Sequence, residues 1–444
     1  MDIHIILGIL GIVTSVALLV WGAYRGIGAF PIVMLAIVPV ALLNDMDLYE
    51  TYTVIWTGGF VSNVTSYLFV LVCSCTFAKL MQNCGAATKI ALQFIDWFGT
   101  KQVMLLGVII CAVMVWGGVY CTVVVFTVAP ILFYLFKEAD LPRHLTAGVI
   151  ALGGLTFAMT LLPGNPQLLQ LVACEYLGTT LTAAPVLSII GSAIILFLGM
   201  LYLKHEEKKA RLNGEHFSFP ESKDPSQWAV RDRADLPKAL NAFIPLVFMI
   251  LTLIIGCQFT TNVTRLVIIT MFCACIIVTV LNFKFFKGKD MKKVILEGVN
   301  DGIGALTIMS TLIGFGSVLK ATDAYQAILN MLFNLKIGGY YKMFISVSAI
   351  AAITGSSSVA VRLGLDGLVQ TYLANGCTPE ILHRLTTMTS GGLDTLPFSS
   401  GIFLMLSGLG LSHKEGYKHM FVLSVVLTFF VALFFVVVCS VLGL

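Results

Sequence analysis

Apolar runs recur along almost this entire sequence, and most are close to the ~20 residues that one helical crossing of a bilayer requires. They fall at 4–23, 27–43, 59–82, 145–170, 184–203, 241–258, 264–282, 298–320, 380–409 and 417–441. Only 11% of the 444 residues are charged, against roughly 25% in a soluble globular chain. The reading is an all-α integral membrane protein. The net charge of +4 gives no reason to expect a nucleic-acid partner. The first run lacks the basic start of a signal peptide and reads as a retained helix. The cysteines are scattered through apolar runs with no histidines to complete a metal set, so they read as packing residues and no metal or cofactor is expected.

Two apolar regions, 103–136 and 342–373, fit poorly as single spans. Each is a pair of short arms around a Gly- or Ser-rich centre, so both read as re-entrant hairpins. Two other runs carry residues that a lipid-facing helix cannot use. One holds Thr160-Leu161-Leu162-Pro163-Gly164-Asn165-Pro166-Gln167, with prolines on both sides of Gly-Asn. The other holds Ser390-Gly391-Gly392-Leu393-Asp394-Thr395-Leu396-Pro397-Phe398-Ser399-Ser400-Gly401. Proline removes a backbone donor and glycine loosens the helix. Freed backbone groups in hydrocarbon need partners, so broken helices occur only against protein or a water-filled cavity.

Short strings recur in order between the two halves at a nearly constant offset. Phe77-Ala78-Lys79-Leu80-Met81 resembles Phe315-Gly316-Ser317-Val318-Leu319, Gly153-Gly154-Leu155 matches Gly391-Gly392-Leu393, and Leu162-Pro163 matches Leu396-Pro397. Residues 1–203 and 241–444 each read as five spans plus one hairpin, with the fifth element of each half broken and 204–240 as the linker. Five is odd, so the second half is expected upside down in the membrane. Inverted repeats with paired broken segments point to a secondary transporter whose site lies at the repeat interface. Placing 204–240 in the cytoplasm also puts Lys284, Lys287, Lys289, Lys292, Lys293, Lys89, Lys101, Lys137, Arg143, Lys414 and Lys418 inside, and Asp45, Asp47 and Glu50 outside. That satisfies the positive-inside bias, with both termini outside.

Four elements are therefore candidates for the solute site. The first hairpin tip supplies Gly118, Tyr120 and Thr122; the first break supplies Gly164, Asn165 and Gln167. The second tip supplies Gly355, Ser356, Ser357 and Ser358; the second break supplies Thr395, Ser399 and Ser400. Helix ends meeting there turn N–H groups and positive dipole ends inward, so a small organic anion can be held without a basic side chain. Asp394 is an ionisable group at membrane depth and reads either as the coupling residue, for H⁺ or Na⁺, or as a helix cap before Thr395-Leu396-Pro397. Arg362 and Arg384 are read as substrate contacts or as snorkelling and pairing residues.

With Thr354-Gly355-Ser356-Ser357-Ser358 and Ser390-Gly391-Gly392-Leu393-Asp394-Thr395-Leu396-Pro397 as its most distinctive strings, the chain resembles the gluconate permease (GntP) family of the ion transporter superfamily. The likeness runs through most of its length. It implies proton-coupled uptake of a small hydroxy acid such as gluconate or 3-hydroxybutyrate across a bacterial inner membrane. It also implies scaffold and transport domains, an elevator motion and a homodimer. The chain departs from the family pattern after Asp-Thr-Leu-Pro, where similar sequences carry His-Asn and this one carries Phe398-Ser399. A sodium-coupled di- or tricarboxylate carrier is the alternative within transport. An intramembrane enzyme would need a nucleophile–base set or metal ligands at depth, and the sequence offers none.

Overall fold

The structure is a computed structural model. It describes residues 3–443 apart from 118, 120, 122–123, 221–234, 257–258, 260–262, 288–289 and 367. Among the described residues all regular structure is helical. In chain order the helices are α1 (Ile3–Tyr24), α2 (Ala29–Leu43), α3 (Leu48–Cys84), α4 (Ala86–Phe98), α5 (Val103–Trp116), α6 (Val124–Glu138), α7 (Leu145–Thr160), α8 (Leu168–Leu177) and α9 (Pro185–Leu212). They continue as α10 (Ala239–Gly256), α11 (Val263–Leu281), α12 (Met291–Lys320), α13 (Asp323–Phe333), α14 (Gly339–Thr354), α15 (Ser357–Leu365), α16 (Val369–Ala374), α17 (Pro379–Leu393), α18 (Ser400–Gly408) and α19 (His413–Leu442).

Among the described residues, α1, α3, α9, α12 and α19 are each long and apolar enough to cross a membrane alone. The other apolar helices are shorter or bent. α4 and the helix that follows it meet at 106°. The sequence assigned no element to α4 or α13, because both are short amphipathic helices between spans. The first half's last helix also outruns its apolar stretch, continuing to Leu212 into what the sequence reads as linker.

The longest contact is the crossing of α3 with α12. Glycines make it close: a Cβ on Gly302 would lie 2.6 Å from Val72 Cα, and one on Gly298 2.5 Å from Thr76 Cα. Small residues spaced four apart let two backbones approach when lipid supplies no hydrophobic drive. Polar bonds seal the crossing, with Asn63 donating to Ser310 Oγ at 3.0 Å and Trp56 Nε1 donating to the Thr311 carbonyl at 3.1 Å. Around it α1 packs on α2 and α13, while α10 packs on α11 and α4. Beside it α5 packs on α6 and α7, and α14 packs on α15 and α17. The arms α5 and α6 pack on each other, and so do α14 and α15.

Candidate functional site

The first break runs from Leu161 to Gln167, between α7 and α8. Gly164 takes φ +80°, a left-handed conformation suited to glycine. Its N–H donates to the Leu181 carbonyl at 2.9 Å. Asn165 is fully buried and closes the break on itself. Its Nδ2 donates to the carbonyls of Ala158 and Met159, and its Oδ1 accepts from the Gln167 N–H at 2.9 Å. Gln167 reaches the first hairpin instead, donating from Nε2 to the carbonyls of Val115 (3.0 Å) and Val119 (2.7 Å). Trp116 Nε1 donates to the Pro163 carbonyl at 2.9 Å. The amide donors of Asn165 and Gln167 thus serve carbonyls that the break and the tip leave without helical partners. Gly118, Tyr120 and Thr122 lie outside the described residues.

The second break runs from Asp394 to Ser399, between α17 and α18. Asp394 stands at the C-terminal end of α17. It is therefore not the N-terminal cap weighed from the sequence; Ser399 precedes the next helix. Asp394 is buried, and its Oδ1 has no hydrogen-bond partner among the described residues. The side chain and backbone of Ser357, at the N-terminus of α15, lie against this carboxyl. Thr395 Oγ1 bonds Ser424 Oγ at 2.7 Å, and its carbonyl accepts from Tyr417 at 3.1 Å. His413 Nε2 bonds the Pro397 carbonyl at 3.0 Å.

The second tip meets this break. Gly355 takes φ +60°, and a Cβ there would touch Ser399 Cα at 3.4 Å. Ser357 and Ser399 are buried, while Ser356, Ser358 and Ser400 are half-buried.

The two breaks also meet each other. A Cβ on Gly391 would lie 2.5 Å from Thr160 Cγ2. Thr387 Oγ1 donates to the Thr160 carbonyl at 2.9 Å, and Gln170 Nε2 donates to that same oxygen at 2.8 Å and to Met159 at 3.1 Å. Gln170 Oε1 accepts from Arg384 Nη1 at 3.0 Å and bonds His383 Nε2 at 2.9 Å. Arg384 is fully buried and donates its other N–H groups to the carbonyls of Leu181 and Ala183. Buried among neutral oxygens, it does not snorkel. Arg362 is exposed on α15. Gln170, His383 and Thr387 were missed by sequence reasoning; their only signal was polarity inside apolar runs.

Two broken helices are tied to each other, and a buried carboxyl stands at the second break beside the N-terminus of α15. A match to the GntP family permease model extends over residues 3–442. The chain belongs to the GntP family of permeases. This permease is 28% identical to the uncharacterised transporter YxjC of Bacillus subtilis, over 94% of its own length and 96% of that protein's. It is 24% identical to the high-affinity gluconate transporter of Escherichia coli (93% and 94% of the two chains). It is 23% identical to the Gnt-II system L-idonate transporter of that bacterium (68% and 70%). Among solved structures it is similar to the crystal structure of the Alcanivorax borkumensis YdaH transporter, with 14% identity, TM-score 0.45 and 89% and 88% of the chains covered. The permease is a multi-pass membrane transporter and not an enzyme.

Proposed function

We propose that this permease carries a small hydroxylated organic acid, of the size of gluconate or 3-hydroxybutyrate, into the bacterial cell across the inner membrane by proton symport. The observation that carries the reading is Asp394: a buried carboxyl at a helix break, one oxygen without a partner among the described residues, facing the N-terminus of α15. A carboxyl so placed can take up a proton from one side and give it up to the other. The relatives named for gluconate and L-idonate transport favour a polyhydroxy acid. The solute would lie among Ser356, Ser358 and Ser400. Asn165 and Gln167 would shape this site rather than touch the solute.

Two inverted repeats, 1–203 and 241–444, would build it. The recurrence of packing supports this: α1 on α13 and α10 on α4, α2 on α12 and α11 on α3, α6 on α18 and α15 on α8. Each pair exchanges equivalent helices between halves. The body containing both breaks and both hairpins would move as an elevator against the α3–α12 scaffold, in a homodimer, with both termini outside and the loop after α9 in the cytoplasm.

The test is uptake of labelled gluconate and 3-hydroxybutyrate into proteoliposomes. Accumulation should follow an inward proton gradient. Accumulation on a sodium gradient alone would defeat proton coupling and move attention to the hydroxyls of the second tip. Asp394→Asn should fold and exchange solute across the membrane but lose gradient-driven accumulation; full accumulation in that variant would remove the carboxyl from the coupling path.

A further inference from the structure

Only three formally charged side chains among the described residues, leaving histidines aside, are buried: Lys342, Arg384 and Asp394. Lys342 sits in the first turn of α14, at the far end of that arm from the Gly355 tip. Arg384 and Asp394 are on the same helix and its end, ten residues or about 15 Å apart. Arg384 belongs to the cluster that joins the two breaks, and Asp394 stands at the second break. Arginine is always protonated in proteins. Every hydrogen bond of Arg384 ends on a neutral oxygen, those of Leu181, Ala183 and Gln170. Glu380, one turn earlier, is exposed and accepts instead from the Ala184 N–H at 3.4 Å. Its neighbour His383 bonds Thr179 and Gln170. At the other end of the helix, His413 and Tyr417 bond the carbonyls of Pro397 and Thr395.

We infer that Arg384 is the fixed countercharge of the moving body, and that transport is electroneutral, one proton crossing with one monoanion. This rests on the proton-symport reading above. With solute and proton aboard, Asp394 is neutral, and the positive guanidinium balances the anion. Once both leave, ionised Asp394 balances the guanidinium. The set of Arg384, Asp394 and solute is neutral in each crossing, which avoids carrying its net charge through hydrocarbon. Uptake is then driven by the pH difference and not by the membrane potential. A dianion would leave the loaded set negative, so Arg384 also selects for a single negative charge.

The experiment sets ΔpH and potential independently in proteoliposomes, with valinomycin and potassium, using labelled gluconate and 3-hydroxybutyrate. Wild-type initial rates should stay within about twofold between zero and about 100 mV, inside negative. Arg384→Lys should stay equally flat. Arg384→Gln leaves this set with one negative charge both loaded and empty, so its rate should fall at least about tenfold and become potential-dependent, severalfold per about 100 mV. Should Arg384→Gln fail to fold, Gln170→Glu sets a carboxylate against the guanidinium, cancels its charge, and should give the same potential dependence. Accumulation by the wild type on potential alone overturns electroneutrality. An Arg384→Gln or Gln170→Glu variant as fast and as flat as wild type overturns the countercharge role. Absence of any ΔpH-driven uptake overturns the symport reading itself, and this inference with it.

Discussion

At the scale of the residue, the site depends on how close two broken helices come. Thr160 and Gly391 set that approach. Thr160 is β-branched and stiff at χ1, and its Cγ2 occupies the place a Cβ on Gly391 would need. Gly391→Ala therefore forces α7 and α17 apart by some tenths of an ångström, an overpacking change that costs about 1–3 kcal/mol. A lowered melting temperature of the purified permease, with solute affinity reduced alongside it, is the expected result. An unchanged melting temperature and affinity would mean the two breaks do not bear on each other.

At the scale of the element, each hairpin tip is tied to its own half's break, by different means. The first tie is an amide: Gln167 holds the carbonyls of Val115 and Val119 at the end of α5. The second is a close backbone approach, Gly355 against Ser399. Gln167→Leu keeps the bulk but takes a donor from two buried carbonyls, leaving Val115 with the Gly117 N–H alone; a buried carbonyl left unpaired costs about 1–3 kcal/mol. It should loosen the first hairpin, read as faster amide exchange over α5 with α14 unaffected. Equal protection in the variant would show that the tip holds its shape without the break.

At the scale of the whole molecule, the start of α7, the end of α9 and the start of α19 converge on a polar cavity of about 520 Å³. Two imidazoles stack there, His144 and His419, with ring centroids 5.2 Å apart. His419 also bonds Tyr202, His144 lies 3.6 Å from Glu215, and Lys418 pairs with Glu206 at 3.1 Å. Arg143, Lys209, Lys414 and Glu415 complete the charged lining. Burial lowers the pKa of His144 below its ordinary value, while Glu215 and Glu206 oppose that shift. The unfolded chain therefore binds the proton first as pH falls. The stabilising contribution is present above about pH 6.5 and is lost as pH drops through the lower folded value. Thermal stability should fall on acidification through this window, and less so in His144→Gln. An identical fall in the variant would place the pH sensitivity elsewhere.

Much of this protein was legible from residue order. Run length and low charge determine a membrane protein of helices, because each residue's transfer into lipid is nearly independent of its neighbours in space. Proline and glycine mark where helices must stop, so both breaks could be placed. The boundaries of α4 and α13 could not, since a short amphipathic helix is chosen by the surface it covers. The partners of polar groups were likewise hidden. Asn165 and Gln167 look like solute ligands in the sequence, and only packing reveals that their donors are spent on carbonyls of the break and the tip. Gln170, His383 and Arg384 become one cluster only when α8 lies against α17, bringing together residues some two hundred positions apart. Hydrogen bonds require contact at about 3 Å, and contact between distant segments is a property of the tertiary fold alone.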